Sequence, residues 1–194
     1  MGRKYASLHI LADRKYDLDA LRETYRGTAS PLMKVDDMEE VFGDSLEGPK
    51  RSLVEMLFAM CADFVTVKRN PRGYSIFDEN LGAESIGDVA LRLSKVIPER
   101  VLYASVFDDD VFVFGLCRAG NALARHASGE VEAYGICDAP IHWERSALEA
   151  LLGRDVSDDE EAALGQEGEA FERWLSGLLE IPFDEHGSTY EESM

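Results

Sequence analysis

The stretch FDDDVFVFGL, residues 107–116, sets three consecutive aspartates between two apolar runs. Carboxylates this close can hold a divalent cation, work as a catalytic pair, or project together from a solvated turn. In a continuous strand, Asp108 and Asp110 would share one face and Asp109 would take the other, so the three could not act as one ligand set. Burying three unpaired carboxylates in a sheet is too costly. Aspartate suits a tight turn, because its side chain bonds nearby backbone and tolerates unusual dihedrals. The sequence therefore predicts a hairpin turn at Asp108–Asp110, which can also serve as a contact patch for a basic partner. The alternative is a metal or carboxylate site built on Asp108 and Asp110 with His126 and Asp138. A Mg²⁺ or Ca²⁺ site needs further oxygen ligands, and the stretch lacks the glycine and closing glutamate of an EF-hand loop.

The other chemistry-bearing residues are scattered. His9, His126, His142 and His186 fall in no H-E-x-x-H or other short ligand spacing. His9 alternates within a predicted strand and reads as a satisfied core or surface residue. His126 and His142 are candidates to approach Cys137 and Asp138 in space. The chain contains no G-x-S-x-G, no G-x-x-x-x-G-K and no G-x-G-x-x-G. Lys68, Arg69 and Arg72 form a small basic patch, readable as an anion site or as charge protecting an edge strand.

Charge narrows the partners. With 38 acids and 20 bases in 194 residues the net charge is −18, a field that repels nucleic acid and anionic membrane surfaces. Residues 155–194 hold 13 acids and one base, Arg173, against 25 acids and 19 bases before them. The run Ser157-Asp158-Asp159-Glu160-Glu161 opens this acidic region as a capping box, with acids where the helix dipole favours them. Asp158, Asp159, Glu160 and Glu161, with Asp108, Asp109 and Asp110, are thus the candidate binding residues for a basic protein partner. No cofactor is implied, and a homo-oligomer is compatible with the sequence. Cys61, Cys117 and Cys137 have no C-x-x-C spacing, which points to thiols in a reducing, cytoplasmic compartment. The N-terminus has no signal-peptide pattern, and no apolar run is long enough to span a bilayer.

The elements that must position these residues follow from periodicity. Strands are expected at Tyr5–Leu11, Asp63–Arg69, Gly73–Phe77, Val101–Phe107, Val111–Leu116 and Ala122–His126, with turns at Asn70–Gly73 and Ala119–Asn121. Helices are expected from an Asp17 cap to Gly27, over a methionine-rich face at Leu53–Cys61, and from a Ser85/Asp88 capping box to Pro98 with Val96 on its apolar face. Two more are expected over Trp143–Leu152 and from Ser157 to Glu180, the last interrupted near Gly165 and Gly168. The central strands are apolar at nearly every position, so both of their faces must be covered. The fold class is α+β: a mostly antiparallel sheet of five or six strands with packed helices and a helical C-terminal extension. Residues 1–153 form the core, 154–182 an acidic helical extension packed on it, and 183–194 a mobile tail.

Residues 63–134 resemble a group of uncharacterised bacterial proteins. The likeness rests on Leu93-Ser94 at a helix end, Asp108-Asp109-Asp110-Val111-Phe112 at a hairpin, and the Gly120 turn, with Ala124-Arg125 where the group has an aspartate. It implies a bacterial α+β protein linked to toxin immunity, and it supplies no catalytic residue.

Overall fold

The computed structural model describes residues 4–29, 65–78, 81–83, 85–131 and 143–184. Within them the chain runs β1 (Lys4–Leu11), α1 (Leu18–Ala29), β2 (Val65–Asn70), β3 (Gly73–Asp78), α2 (Ile86–Val96), β4 (Arg100–Phe107), β5 (Val111–Arg118) and β6 (Asn121–Gly129). Helices α3 (Arg145–Leu152), α4 (Asp158–Ala162) and α5 (Gly168–Leu179) follow, with a 3₁₀ turn at Ala163–Gly165. The expected helix around Leu53–Cys61 lies outside the described residues.

The six strands form one antiparallel sheet in the order β2-β3-β1-β4-β5-β6. Both faces are covered, as the apolar runs demand. Ala6, Leu8 and Ile10 of β1, with Val101 and Tyr103 of β4, share one core with Leu21 and Tyr25 of α1 and with Val89, Ala90 and Leu93 of α2. On the other face Leu102, Ala104, Phe112, Phe114 and Leu116 pack with Leu148 and Leu151 of α3 and Phe171, Leu175 and Leu179 of α5. In β4 and β5 the alternation of period two thus sends odd and even residues into two different cores.

Local signals set most boundaries. The Asp17 carboxylate accepts from the Ala20 amide at 2.9 Å and caps α1. The helix then runs through Gly27 to Ala29, past the expected stop, because Gly27 faces open space and nothing there forces an end. Ser85 forms no capping box with Asp88: its hydroxyl is engaged with the backbone of Gly82 instead, 3.3 Å from both N and O. Val96, expected on the apolar face of α2, is 57% exposed, since the helix gives way to extended Ile97 before Pro98. Gly153 ends α3 at φ 70°, and the Ser157/Glu160 capping box is complete. The expected tail does not begin at Phe183, which is 3% exposed and packs into the second core.

Two close approaches hold the sheet's shape. Tyr103 lies across Gly115 on the neighbouring strand, and a Cβ at Gly115 would fall 2.2 Å from the phenol ring. The β5–β6 hairpin turns at Ala119 (φ 51°) and Gly120 (φ 77°), between the paired Arg118 and Asn121. Two central residues with positive φ define a type I′ turn, which favours Asn-Gly over Ala-Gly.

Two stability outcomes follow. Replacing Ala119 with Asn should raise stability by about 1 kcal/mol, or about 2–4 °C in Tm, whereas Ala119→Val should lower it. Gly115→Ala should cost about 1–3 kcal/mol by overpacking. In a double-mutant cycle with Tyr103→Leu the two changes should be non-additive, and additive costs would mean the ring does not need the gap.

Candidate functional site

The three aspartates do form the β4–β5 turn. The Asp110 amide donates to the Phe107 carbonyl at 3.1 Å, with Asp108 at φ 57° and Asp109 at φ 61°. All three side chains are exposed. Short polar side chains visit this left-handed region at lower cost than others, which is why aspartate serves here.

The topology brings further acids to the same end of the sheet. Val111 pairs with Gly129 and Phe112 with Ser128, so Glu130 follows directly beside the turn, its amide donating to the Asp110 carbonyl at 3.0 Å. Gly129 permits this approach, since a Cβ there would lie 1.7 Å from the Asp110 oxygen. The Gly168 amide at the start of α5 donates to Ser128 Oγ at 3.0 Å, and Gly168 rests against the Phe112 ring. Glu167 and Glu169 therefore sit at this end too. Asp108–Asp110, Glu130, Glu167 and Glu169 make one acidic corner from three separate segments. Glu169 is paired with Arg173 at 2.9 Å. Lys4, opposite Phe107 on β1, sits at the edge with its Nζ 4.0 Å over the Phe107 ring.

The α4 acids are in a different position. Glu160 closes the capping box, its carboxylate accepting from the Ser157 amide at 2.9 Å, and pairs with Arg154 at 2.6 Å. The Arg154 guanidinium, then the Ser157 amide, hold its carboxyl down at about 2. Asp158 and Glu161 pair with Arg145 at 3.2 and 2.8 Å. Only Asp159 of the four is left without an ion pair among the described residues. Arg145 and Arg154 precede the acidic region in sequence and fold back on it, so the local charge is less negative than the sequence window implies.

Of the alternative metal set, the described members Asp108, Asp110 and His126 do not form a metal-holding group. Asp138 lies outside the described residues. His126 pairs with Phe114 in mid-strand and stacks on Phe171 with ring centroids 4.3 Å apart, away from the solvent-facing turn. Burial pulls its pKa down, and Glu167 pulls it up. Among the described residues no three His, Cys, Asp or Glu side chains are placed to hold a metal. Cys117 is a free, buried thiol, raised to about 11 by burial.

One cluster carries no sequence signature. His9 is fully buried, with Ser7 Oγ 2.9 Å from Nε2 and Ser75 Oγ 2.9 Å from Nδ1. Asn70 donates to Ser75 at 2.8 Å, and the Phe183 ring closes over His9 with centroids 5.1 Å apart. A serine against a histidine nitrogen is the layout of an activated nucleophile. Here burial pushes the imidazole from 6.5 to about 3, far below the value a general base needs at neutral pH. The trio is a satisfied polar pin between β1 and β3. The signal that could have found it is Ser7 and His9 at i and i+2, which must share one face of a covered strand.

The fold is that of an α+β protein with a helix-covered antiparallel sheet of six strands. The chain matches no protein-family model, no curated protein and no solved structure.

The His9 environment fixes a pH dependence. Its folded pKa lies below its unfolded value, so the unfolded state binds more protons between about pH 6.5 and 3. Stability should be full above that window and fall as pH drops through it, by about 5 kcal/mol in total. Urea melts from pH 7 to pH 3.5 should show this slope, and His9→Gln should flatten it, leaving the smaller contributions of His126 and Glu160 with the same sign. An unchanged slope in His9→Gln would remove His9 as its source.

Proposed function

We propose that this is a non-enzymatic binding protein that docks a basic protein partner on the acidic corner, as an immunity-type inhibitor of a bacterial toxin does. The observation that carries the reading is the convergence of Asp108–Asp110, Glu130 and Glu167 from a hairpin turn, a strand end and a helix start. Acids so gathered and exposed raise a local negative potential that steers a positive surface to dock and favours it over others. The turn also fits the role mechanically, because its tight backbone sets three exposed aspartates side by side. The sequence adds its own support through the net charge of −18 and the likeness of residues 63–134 to the immunity-linked group. The α4 acids belong to the periphery of this surface at most, since Arg145 and Arg154 already occupy three of them.

Asp110→Lys, Glu130→Lys and Glu167→Gln change the corner without touching the two left-handed residues that shape the turn. Tagged wild-type protein should capture a basic protein from lysate at about 50 mM salt and lose it near 500 mM, where screening is strong. The triple variant should bind the purified partner at least about tenfold more weakly, mainly through a slower association rate. Equal affinity and equal salt dependence in the triple variant would sink the proposal.

A further inference from the structure

The opposite end of the sheet has the opposite character. Gly73 pairs with Leu11, and Leu11 with Arg100. Val101 pairs with Cys117, which sets Arg118 beside Arg100 on the next strand. Arg72 occupies the β2–β3 turn at the same level, its carbonyl accepting from the Ala12 amide at 2.9 Å. Three arginines far apart in sequence therefore line one end of the strands. Arg100 is half-buried, and its Nη1 donates to the carbonyls of Ala150 and Leu151 at the end of α3, the second at 3.0 Å. Its Nε–H and Nη2–H groups make no hydrogen bond among the described residues and are not buried, so they can donate to a ligand. Arg72 and Arg118 are exposed, and among the described residues neither has a carboxylate within ion-pair distance.

This arrangement runs against the composition. In a chain with 38 acids for 20 bases, an arginine has acids enough to pair with, as Arg14, Arg145, Arg154 and Arg173 do. At this end the charges instead repel one another. Burial lowers the affinity of Arg100 for its proton, Arg118 and Arg72 push the same way, and Asp13 alone opposes them. A fold that gathers three like charges against the single carboxylate of Asp13 is suited to further compensation by a ligand. Lys95 of α2, whose side chain runs along Gly120, adds a further positive charge at the rim.

We propose that Arg72, Arg100 and Arg118 form a binding site for a phosphate-type oxyanion, free or carried by a small molecule. The planar fork of arginine matches the oxygens of such a group and binds it through charge-assisted hydrogen bonds. Three guanidiniums against Asp13 leave two positive charges, which suits a dianion better than a single carboxylate. The overall negative charge of the protein disfavours a nucleic acid as the source. Of the basic hairpin residues, only Arg72 belongs to this site. Lys68 and Arg69, adjacent in β2, point to opposite faces, opposite Ser75 and Tyr74.

The test is thermal unfolding of the whole chain in inorganic phosphate, glycerol 3-phosphate, acetate and chloride at matched ionic strength. The two phosphates should raise Tm saturably by about 5–10 °C at about 100 times Kd, and acetate and chloride should not. Arg72→Gln and Arg118→Gln, both on exposed side chains, should each weaken phosphate binding about tenfold with unchanged circular dichroism. Tighter binding of glycerol 3-phosphate would identify a phosphorylated small molecule as the occupant, and equal binding would identify free phosphate. A response that follows ionic strength alone, or that survives in the Arg72→Gln/Arg118→Gln double variant, would overturn the proposal. The acidic-corner variants leave this end intact, so the two readings fail separately.

Discussion

The structure depends on one constraint, the burial of a six-stranded antiparallel sheet on both faces. Each inner strand must supply apolar side chains at odd and even positions alike, and β4 and β5 do so almost without exception. Apolar burial on this scale, at about 25 cal/mol per Å², is the main term available to offset the entropy of ordering the chain. It also makes a lone buried polar group costly. Several of the buried polar side chains near the sheet are tied to another element, whereas His126 Nε2 and Trp143 Nε1 are buried without a hydrogen-bond partner among the described residues. Ser7, His9 and Ser75 bond to one another across β1 and β3. Tyr5 donates to buried Glu172 of α5 at 2.6 Å, and Tyr25 of α1 to Asp78 of β3 at 2.7 Å. Burial drives the Tyr25 phenol far above its ordinary range, and the Asp78 carboxylate adds to the effect. These pins are directional where apolar packing is not, so they fix how each helical layer is set on the sheet.

A sheet covered on both sides has few places left to meet a partner. Its faces are occupied, which leaves the outer surfaces of the helices, the two edges and the two ends where strands turn. Backbone geometry decides what can stand at the ends. The positive φ values at Asp108, Asp109 and Ala119 restrict those positions to residues that tolerate a left-handed turn. One end meets that demand with carboxylates, which serve the turn and the surface potential together. The other uses Ala119-Gly120 and flanks it with Arg118. Turn chemistry and charge are therefore specified by the same few residues.

Much of this was readable from periodicity. The strands, the antiparallel character of the sheet, the covering of both faces and the aspartate turn all follow from which residues are apolar and where the turn formers lie, whereas the place of β1 between β3 and β4 does not. What escaped was non-local. The Ser85/Asp88 pattern suggested a capping box, but Gly82 offers the hydroxyl a nearer partner. The count of one base in residues 155–194 missed Arg145 and Arg154, because charge compensation acts through space and not along the chain. The acidic corner was half legible: its turn could be predicted, but Glu130 and Glu167 joined it only through the β5–β6 register and the docking of α5 on Ser128. The arginine end was not legible at all, since nothing in the local sequence of Arg72, Arg100 or Arg118 relates one to another.

The two ends are joined by the same strands and are nevertheless electrostatically separate. An eight-residue strand such as β4 spans about 26 Å at about 3.3 Å per residue, roughly three Debye lengths at physiological salt. A charge bound at one end is therefore screened from the other, and direct field effects between them are small. Any coupling must pass through matter: through β4 and β5, or through α3 and α5, which pack in the same core. That core is closely filled, with Phe114 and Phe171 fully buried in it, and close-packed interiors transmit displacement more readily than they absorb it. Arg100 reaches the end of α3 and Glu167 stands at the start of α5, so each charged end is mechanically tied to a helix of that one layer. The sheet thus separates two opposite charges, while α3 and α5 behind it pack in one shared core.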